Sequence, residues 1–358
     1  MFSNTYNNKK VLITGNTGFK GSWLTVWLLK LGANIVGISK DIPTFPSMFE
    51  ELNLKNKIKH YQEDIRNLPK ITEIIASEKP DFVFHLAAQA IVSTSYTSPI
   101  ETITSNVVGT TNILEALRVS NHKCIAIIIT SDKAYDNIEQ VWGYKEDDKM
   151  GGKDIYSGSK GAAELIIKSY YHSFFKSDKS NIKLVIGRAG NVIGGGDWAK
   201  DRIVVDCMEA WSKGQSVEIR SPQATRPWQH VLEPLSGYLN LAEKLFLEGV
   251  DFSESWNFGP STNDVQTVQD VATKFISQWG SNTQINLENN SSQPHEATLL
   301  TLDCSKAANR LHWTPKMNTK DAIRITCDWY KMFNEGKSDM KLFSLDQIKS
   351  YQSVFIKR

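Results

Sequence analysis

The sequence predicts an α/β protein, a doubly wound parallel sheet with a smaller lobe interleaved in the chain, and three observations predict it. Short β-rich runs alternate with helical stretches through the first half. These runs are continuously apolar rather than alternating, as happens when helices cover both faces of a sheet. A glycine-rich turn follows the first of them directly.

In chain order, Val11–Thr14 reads as a strand, Lys20 to Leu31 as a helix and Asn34–Ser39 as the next strand. Pro43 and Pro46 break the following segment, so Asp41–Ser47 is expected to be a loop near the cofactor end of the sheet. Phe82–Leu86, Ile125–Thr130 and Lys183–Gly187 continue the sheet, with helices at about Ile100–Val119 and Tyr156–Phe175. After Arg188 the pattern changes. The run Gly194–Trp198 and the irregular stretch Ser221–Gln229 predict loops over the carboxyl ends of the strands, where such sheets bind ligands. A helix at about Pro234–Leu247 and a strand at Ser255–Phe258 are expected to rejoin the sheet. The division that follows is a dinucleotide-binding part of residues 1–188 and about 231–258, and a substrate-binding lobe of about 189–230 and 259–330. Residues 336–358 have no assignment, and Ser281–Gln293 is polar enough to be a mobile loop.

A chain of 358 residues with 41% hydrophobic content is long enough to bury a substantial core. Its 41 basic and 39 acidic residues nearly balance, which argues against a nucleic-acid partner. The polar start Met1–Lys10 has no apolar segment before a cleavage site, and no later apolar run approaches membrane-spanning length. A soluble, cytoplasmic protein with no membrane contact is the expectation. Cys124, Cys207, Cys304 and Cys327 are scattered, with no spacing that suits a metal site or a disulfide framework.

The first strand runs into Gly15-Asn16-Thr17-Gly18-Phe19-Lys20-Gly21, which opens a helix. Gly15 suits the tight turn, Gly18 lets a pyrophosphate approach the backbone, and Gly21 lets helix and strand pack closely. This is the cofactor loop of a Rossmann sheet, with Phe19 and Lys20 inside it and Ala87 at the end of a neighbouring strand as further cofactor contacts. Asp41 lies about 20 residues beyond the loop, where a carboxylate binds the adenosine ribose of NAD. Lys40 beside it would suit the extra phosphate of NADP, and NAD is the first reading. Asp64-Ile65, after a third strand, is an adenine-edge contact or a turn, and Asn106 is a helix-end contact or a neighbour of the nicotinamide.

Tyr156 and Lys160 are four residues apart, so on a helix they share a face and the ammonium can lower the phenol pKa. The strand Ile125–Ile129 delivers Thr130-Ser131-Asp132-Lys133 to the same end of the sheet. Ser131, Tyr156 and Lys160 form a set suited to hydride chemistry on a sugar hydroxyl.

With Gly15, Gly18, Gly21, Ser131, Tyr156 and Lys160 in these positions, the chain resembles the extended short-chain dehydrogenase/reductase family. The strings Thr14-Gly-Asn-Thr-Gly-Phe-Lys-Gly-Ser-Trp23, Thr130-Ser-Asp-Lys133, Arg188-Ala-Gly-Asn-Val-Ile-Gly-Gly-Gly-Asp-Trp198 and Arg226-Pro-Trp-Gln-His-Val-Leu-Glu-Pro-Leu-Ser-Gly-Tyr238 resemble its CDP-glucose 4,6-dehydratase group. Pro294-His295-Glu296-Ala297, Leu302-Asp303 and Trp313-Thr314-Pro315 fit the same group, while Asn16 and Ile155 stand where His and Pro are expected.

The resemblance implies an NAD-dependent cycle that turns a CDP-sugar into its 4-keto-6-deoxy form. Tyr156 is then the base for the 4-hydroxyl, Ser131 holds that oxygen, and Lys160 lowers the phenol pKa and binds the nicotinamide ribose. Asp132 is the acid of the elimination and Lys133 the base at carbon 5. Arg226, on an expected loop beside Trp228, suits a diphosphate clamp, with Asn191, Asp197, Trp198 and Arg202 as further substrate contacts. His230 and His295 are expected to be structural. No metal is implied. A homodimer paired through the helices Ile100–Val119 and Tyr156–Phe175 is expected from the same resemblance. The rival readings are a 4,6-dehydratase for another nucleotide sugar, a sugar-nucleotide 4-epimerase, a reductase using NADPH, and a non-catalytic nucleotide sensor. Asp132-Lys133 argues against the epimerase, which needs no elimination acid or base.

Overall fold

The computed structural model describes all residues except 1, 3, 178, 220, 250–251, 262–263, 281–284, 288–298, 337 and 354–358. Its core is a seven-stranded sheet, all of whose pairings are parallel. Six strands come in chain order from residues 10–189: β1 (Lys10–Thr14), β2 (Asn34–Ser39), β3 (Lys59–Gln62), β4 (Phe82–His85), β5 (Cys124–Ile129) and β6 (Ile182–Ala189). The strand Ser255–Phe258 adds to the far edge beside β6. From that edge the order continues β6, β5, β4, β1, β2, β3. The chain therefore reverses direction across the sheet between β1 and β4, and the carboxyl ends of those strands open a crevice. The expected fold class is the observed one.

The apolar runs form strands because both of their faces are covered. Val11 and Ile13 point into one hydrophobic cluster with Trp23, Trp27 and Leu235, while Leu12 between them points into the other with Ile71, Ile113 and Ile167. β5 is buried along its whole length. The helix Ile155–Tyr170 starts where Asp154 caps it, its Oδ1 accepting from the Ser157 amide at 2.9 Å. That cap places Tyr156 in the first turn, beside the end of β5.

The chain beyond β6, where the substrate-binding lobe is expected, carries the helices Ile203–Ser212, Val268–Trp279 and Thr319–Glu335 and short strand pairs. Arg226 departs from the expected loop: Thr225–Arg226 pairs antiparallel with Gln266–Thr267, a partner about forty residues on. Of the expected loop Ser281–Gln293, Ile285–Leu287 forms a strand beside Val217–Ile219 and the rest lies outside the described residues, as does Pro294–Ala297 with His295.

The segment left unassigned after residue 336 contains a helix, Met340–Ser353. Its Tyr351 packs edge-on to Trp27 at 5.7 Å between centroids and donates to Glu233 Oε2 at 2.8 Å, and Trp329 Nε1 donates to Ser344 Oγ at 2.9 Å. This helix therefore braces the helix Phe19–Lys30 that opens at the glycine loop.

Candidate active site

Three carboxyl-terminal strand ends and one helix converge at the crevice. β1 delivers the glycine loop, in which Gly15 adopts φ +73° and a Cβ on Gly21 would lie 2.1 Å from the Gly15 carbonyl oxygen. Only glycine permits that helix-to-loop contact. Gly18 caps the helix without a side-chain hydrogen bond, so the first-turn amides are free of a local side-chain acceptor and suit a phosphate. Ala87 follows β4 and packs against Gly15, its amide donating to Thr14 Oγ1 at 3.2 Å.

Asn16 faces away from the crevice. It is buried, accepts from Ser39 Oγ at 2.8 Å through Oδ1, and lies with Nδ2 3.3 Å from His60 Nδ1. Its exchange for the expected His thus concerns the seat of the loop on β2 and β3. Asp41 is exposed beside the loop, its carbonyl accepting from Thr17 Oγ1 at 2.7 Å. Lys40, 3.7 Å from Asp41, is also paired with Glu101 at 3.0 Å. The Asp64 carboxylate is occupied by the Arg66 guanidinium at 2.6 Å, and Ile65 is buried. Asn106 is buried with protein partners: it accepts from the Gln89 amide at 2.8 Å and donates to Gln89 O and to Ser159 Oγ. Among these hydrogen bonds the helix-tying reading of Asn106 has the support.

Beyond β5, Ser131 Oγ donates to Asp132 Oδ1 at 2.9 Å and accepts the Lys133 amide at 3.2 Å. Asp132 is 2% exposed, and its Oδ2 has no hydrogen-bond partner among the described residues. Burial raises its pKa, against the opposing pull of Lys133, Ser131 and Lys20. A carboxyl held toward its protonated form suits an acid.

Tyr156 is 7% exposed, and burial pushes its phenol up to about 12. The leading groups that pull it down are Ser131, through a hydrogen bond, and Arg202. Lys160, expected to lower the phenol pKa, is not among these leading influences. The Lys160 ammonium stands 5.9 Å from the Tyr156 ring centroid, and its own pKa is lowered to about 8 by burial, with Glu164 opposing. Burial outweighs the neighbouring charge at both groups.

Lys20, expected at the cofactor, reaches further into the crevice. Its pKa is lowered to about 8 by burial and by Arg202, while Asp132 pulls it up, so its ammonium lies within electrostatic reach of the reacting carboxyl. Its position in the glycine loop carries no signal of that reach.

From the chain beyond β6, Arg202 acts electrostatically on both Tyr156 and Lys20. Arg202 pairs with Asp197 Oδ2 at 2.5 Å, and Tyr330 donates to the Asp197 carbonyl. Trp198 belongs to an aromatic cluster with Trp329, Tyr330 and Phe333, its ring 5.1 Å from that of Phe333. That packing holds Trp198, expected as a substrate contact, among buried aromatic side chains. Arg226 is buried and its Nη1 donates to the Thr225 carbonyl at 2.8 Å. Asn191 is half-buried, with its carbonyl accepting the Gln229 amide at 3.1 Å. His230 is fully buried, edge-on to Trp23, and its Nδ1 accepts the Leu232 amide at 3.3 Å. Among the described residues no group of three or more His, Cys, Asp or Glu side chains is arranged to hold a metal ion.

The sequence model of the family described as GDP-mannose 4,6 dehydratase matches residues 12–326. A CDP-glucose 4,6-dehydratase of Salmonella typhimurium is 46% identical over 355 residues, which cover 98% of each chain. A CDP-paratose 2-epimerase of Salmonella typhi is 26% identical, over 89% of this chain and 98% of its own. Among solved structures, a dTDP-glucose 4,6-dehydratase of Bacillus anthracis in complex with NAD is similar with a TM-score of 0.74 at 18% identity, over 91% of this chain and 98% of that one. A UDP-glucuronic acid 4-epimerase of Bacillus cereus gives a TM-score of 0.77 at 23% identity, over 90% and 99%. At those identities the likeness to the solved structures is one of fold.

Proposed function

This chain belongs to the GDP-mannose 4,6-dehydratase family, and from that membership we propose that it is an NAD-dependent CDP-glucose 4,6-dehydratase. The reaction is oxidation at sugar carbon 4, loss of water across carbons 5 and 6, and hydride return to carbon 6. The observation that carries it is the buried Asp132 oxygen without a hydrogen-bond partner among the described residues, next to Ser131 and Tyr156, because an elimination needs an acid there and a 4-epimerase does not.

Gly15, Gly18, Phe19, Lys20 and Gly21 would hold the pyrophosphate, Asp41 the adenosine ribose, and Lys160 the nicotinamide ribose. Ala87 lies beside the loop, and Asp64-Ile65 and Asn106 act as supports. Bound there, NAD supplies the acceptor and donor of a hydride. The residues do the rest. Tyr156, as its phenolate, takes the proton from the 4-hydroxyl while Ser131 holds its oxygen, and the resulting ketone acidifies the hydrogen on carbon 5. Lys133, in its uncharged amine form, accepts that proton, and Asp132 gives one to the departing 6-hydroxyl, which leaves as water. When carbon 6 is reduced, Lys133 gives its proton back to carbon 5 and the 4-ketone is kept in the product. The proton held by Tyr156 passes to solvent as Asp132 is reprotonated. Arg226, Asn191, Asp197 and Arg202 suit the diphosphate and sugar, with charge-assisted donors from the two arginines.

CDP-glucose is expected to be converted to a 4-keto-6-deoxy product with catalytic NAD and no net reduced cofactor, in preference to GDP-, UDP- and dTDP-sugars. Turnover of all four at similar kcat/KM would sink the CDP assignment, and a simple 4-epimer as product would sink the dehydratase reading.

The helices near the dimer surface expected from the family carry Ile100 at 71%, Leu165 at 56% and Val119 at 55% exposure. A second copy covering these side chains supports a homodimer. Light scattering at micromolar concentration is expected to give twice the mass of one chain, and a monomer mass overturns it. A nucleotide sugar and NAD are cytoplasmic metabolites, so the reading carries a cytoplasmic location with it. No described helix is long and apolar enough to cross a membrane.

A further inference from the structure

Below the crevice lies a fully buried ion pair that the reaction scheme does not use. Glu164 and Arg188 are both 0% exposed, and the guanidinium grips the carboxylate with two hydrogen bonds, Nε to Oε1 at 2.7 Å and Nη2 to Oε2 at 2.5 Å. Well-packed apolar side chains generally stabilise a core as well as such a pair does, so cohesion alone does not account for it.

Its connections point elsewhere. Glu164 sits one turn beyond Lys160 and two beyond Tyr156 on the same helix. Its Oε1 also accepts from Thr130 Oγ1 at 2.6 Å, and Thr130 directly precedes Ser131, Asp132 and Lys133. Arg188, in β6, donates through Nη1 to the Tyr135 hydroxyl at 2.6 Å and to the Glu146 carbonyl at 3.0 Å. Tyr135 passes the contact on to Asn257 Oδ1 at 2.8 Å, and Asn257 Nδ2 donates to the carbonyls of Tyr144 and Asp303. One polar network therefore joins the helix of Tyr156 and Lys160, the turn of Ser131 to Lys133, β6 and the strand Ser255–Phe258.

We infer that the Glu164–Arg188 pair is the positioning element of this active site, fixing the separation between the Tyr156–Lys160 helix and the Ser131–Lys133 turn. The inference rests on the dehydratase reading for its catalytic consequence. A rigid tie suits this place, because proton transfers at two sugar carbons from residues on different segments demand a fixed spacing. Glu164 has a second effect through charge. It opposes the burial that lowers the Lys160 pKa, and the other groups facing Lys160 are Tyr156 on its own helix, His85 on β4 and Lys20 in the glycine loop. Those two cationic or neutral neighbours from other elements give Lys160 no negative charge, so Glu164 is its anionic partner.

Glu164→Gln keeps the shape and removes the charge. The expected result is a folded enzyme whose KM for CDP-glucose is unchanged and whose kcat falls about 10- to 100-fold. With the anion gone, Lys160 loses its proton at lower pH, so the alkaline limb of NADH affinity, followed by nicotinamide fluorescence, moves down by about one pH unit. Thr130→Val removes only the hydroxyl tie and should lower kcat about 10-fold at unchanged KM. A folded Glu164→Gln enzyme with wild-type kcat and an unmoved NADH limb overturns the inference. If that variant does not fold, a folded Thr130→Val enzyme with wild-type kcat overturns it. Wild-type enzyme that binds NADH but leaves CDP-glucose untouched would instead sink the functional reading, while the NADH limb still reports on the pair.

Discussion

Tyr156→Phe is expected to leave a folded protein that binds CDP-glucose normally and turns it over about 10²- to 10⁴-fold more slowly, the range for loss of a positioned proton-transfer group. The change removes one oxygen from a side chain that is 7% exposed, so packing is kept and little else is disturbed. Ser131 remains to hold the sugar oxygen, but no group remains to take its proton. Because oxidation is the first step, every later step is lost with it, and single-turnover mixing should show no transient reduced-nicotinamide absorbance. If the transient appears at the wild-type rate, another residue is the base. In that event Lys160, whose pKa is lowered to about 8 by burial, is the next group to examine.

Asp132→Asn is expected to split the reaction in two. Oxidation at carbon 4 should survive, visible as reduced-nicotinamide absorbance that persists, while release of the 6-hydroxyl slows about 10²- to 10⁴-fold because the amide cannot give a proton. The Oδ2 atom has no partner among the described residues, so its replacement breaks no hydrogen bond there, and Oδ1 can still accept from Ser131. Burial raises the Asp132 pKa, so in the wild type its acid form persists to higher pH than an ordinary carboxyl would allow and is lost as pH rises through that raised value. If Lys133 is the base, exchange of the carbon 5 hydrogen with solvent deuterium continues in this variant. Undiminished dehydration by Asp132→Asn would remove Asp132 from the mechanism, and loss of oxidation along with elimination would make it a support for Ser131 instead.

Much of the sheet is legible residue by residue. Asn34–Ser39 is a strand with the bounds its apolar run predicts, because a run buried on both faces fits the interior of a sheet of this kind, and Ser255–Phe258 also keeps its expected bounds. The helix Met340–Ser353 is not legible in that way. Its buried residues Met340, Ser344, Ile348 and Tyr351 lie on one face, yet two of them end in hydroxyls, so no clear apolar stripe marks it. The partners that meet that face come from three distant segments: Trp27 packs edge-on to Tyr351, Trp329 Nε1 donates to the Ser344 hydroxyl, and Glu233 accepts from the Tyr351 hydroxyl. Glu164 and Arg188 escape notice for a similar reason. Twenty-four residues apart, each looks like an ordinary charged surface position until the fold closes over both.

By itself the sequence determined the parallel sheet, the glycine loop and the four-residue spacing of Tyr156 and Lys160, since periodicity and local backbone needs are properties of neighbours along the chain. Only the tertiary structure decided the charge states and the company of the reacting groups. It raised Tyr156 and Asp132 and lowered Lys20 and Lys160. It also carried Trp198 into an aromatic core and Arg226 into a strand pair. The physical reason is desolvation, which depends on what lies around a side chain in three dimensions and not on what stands next to it in sequence.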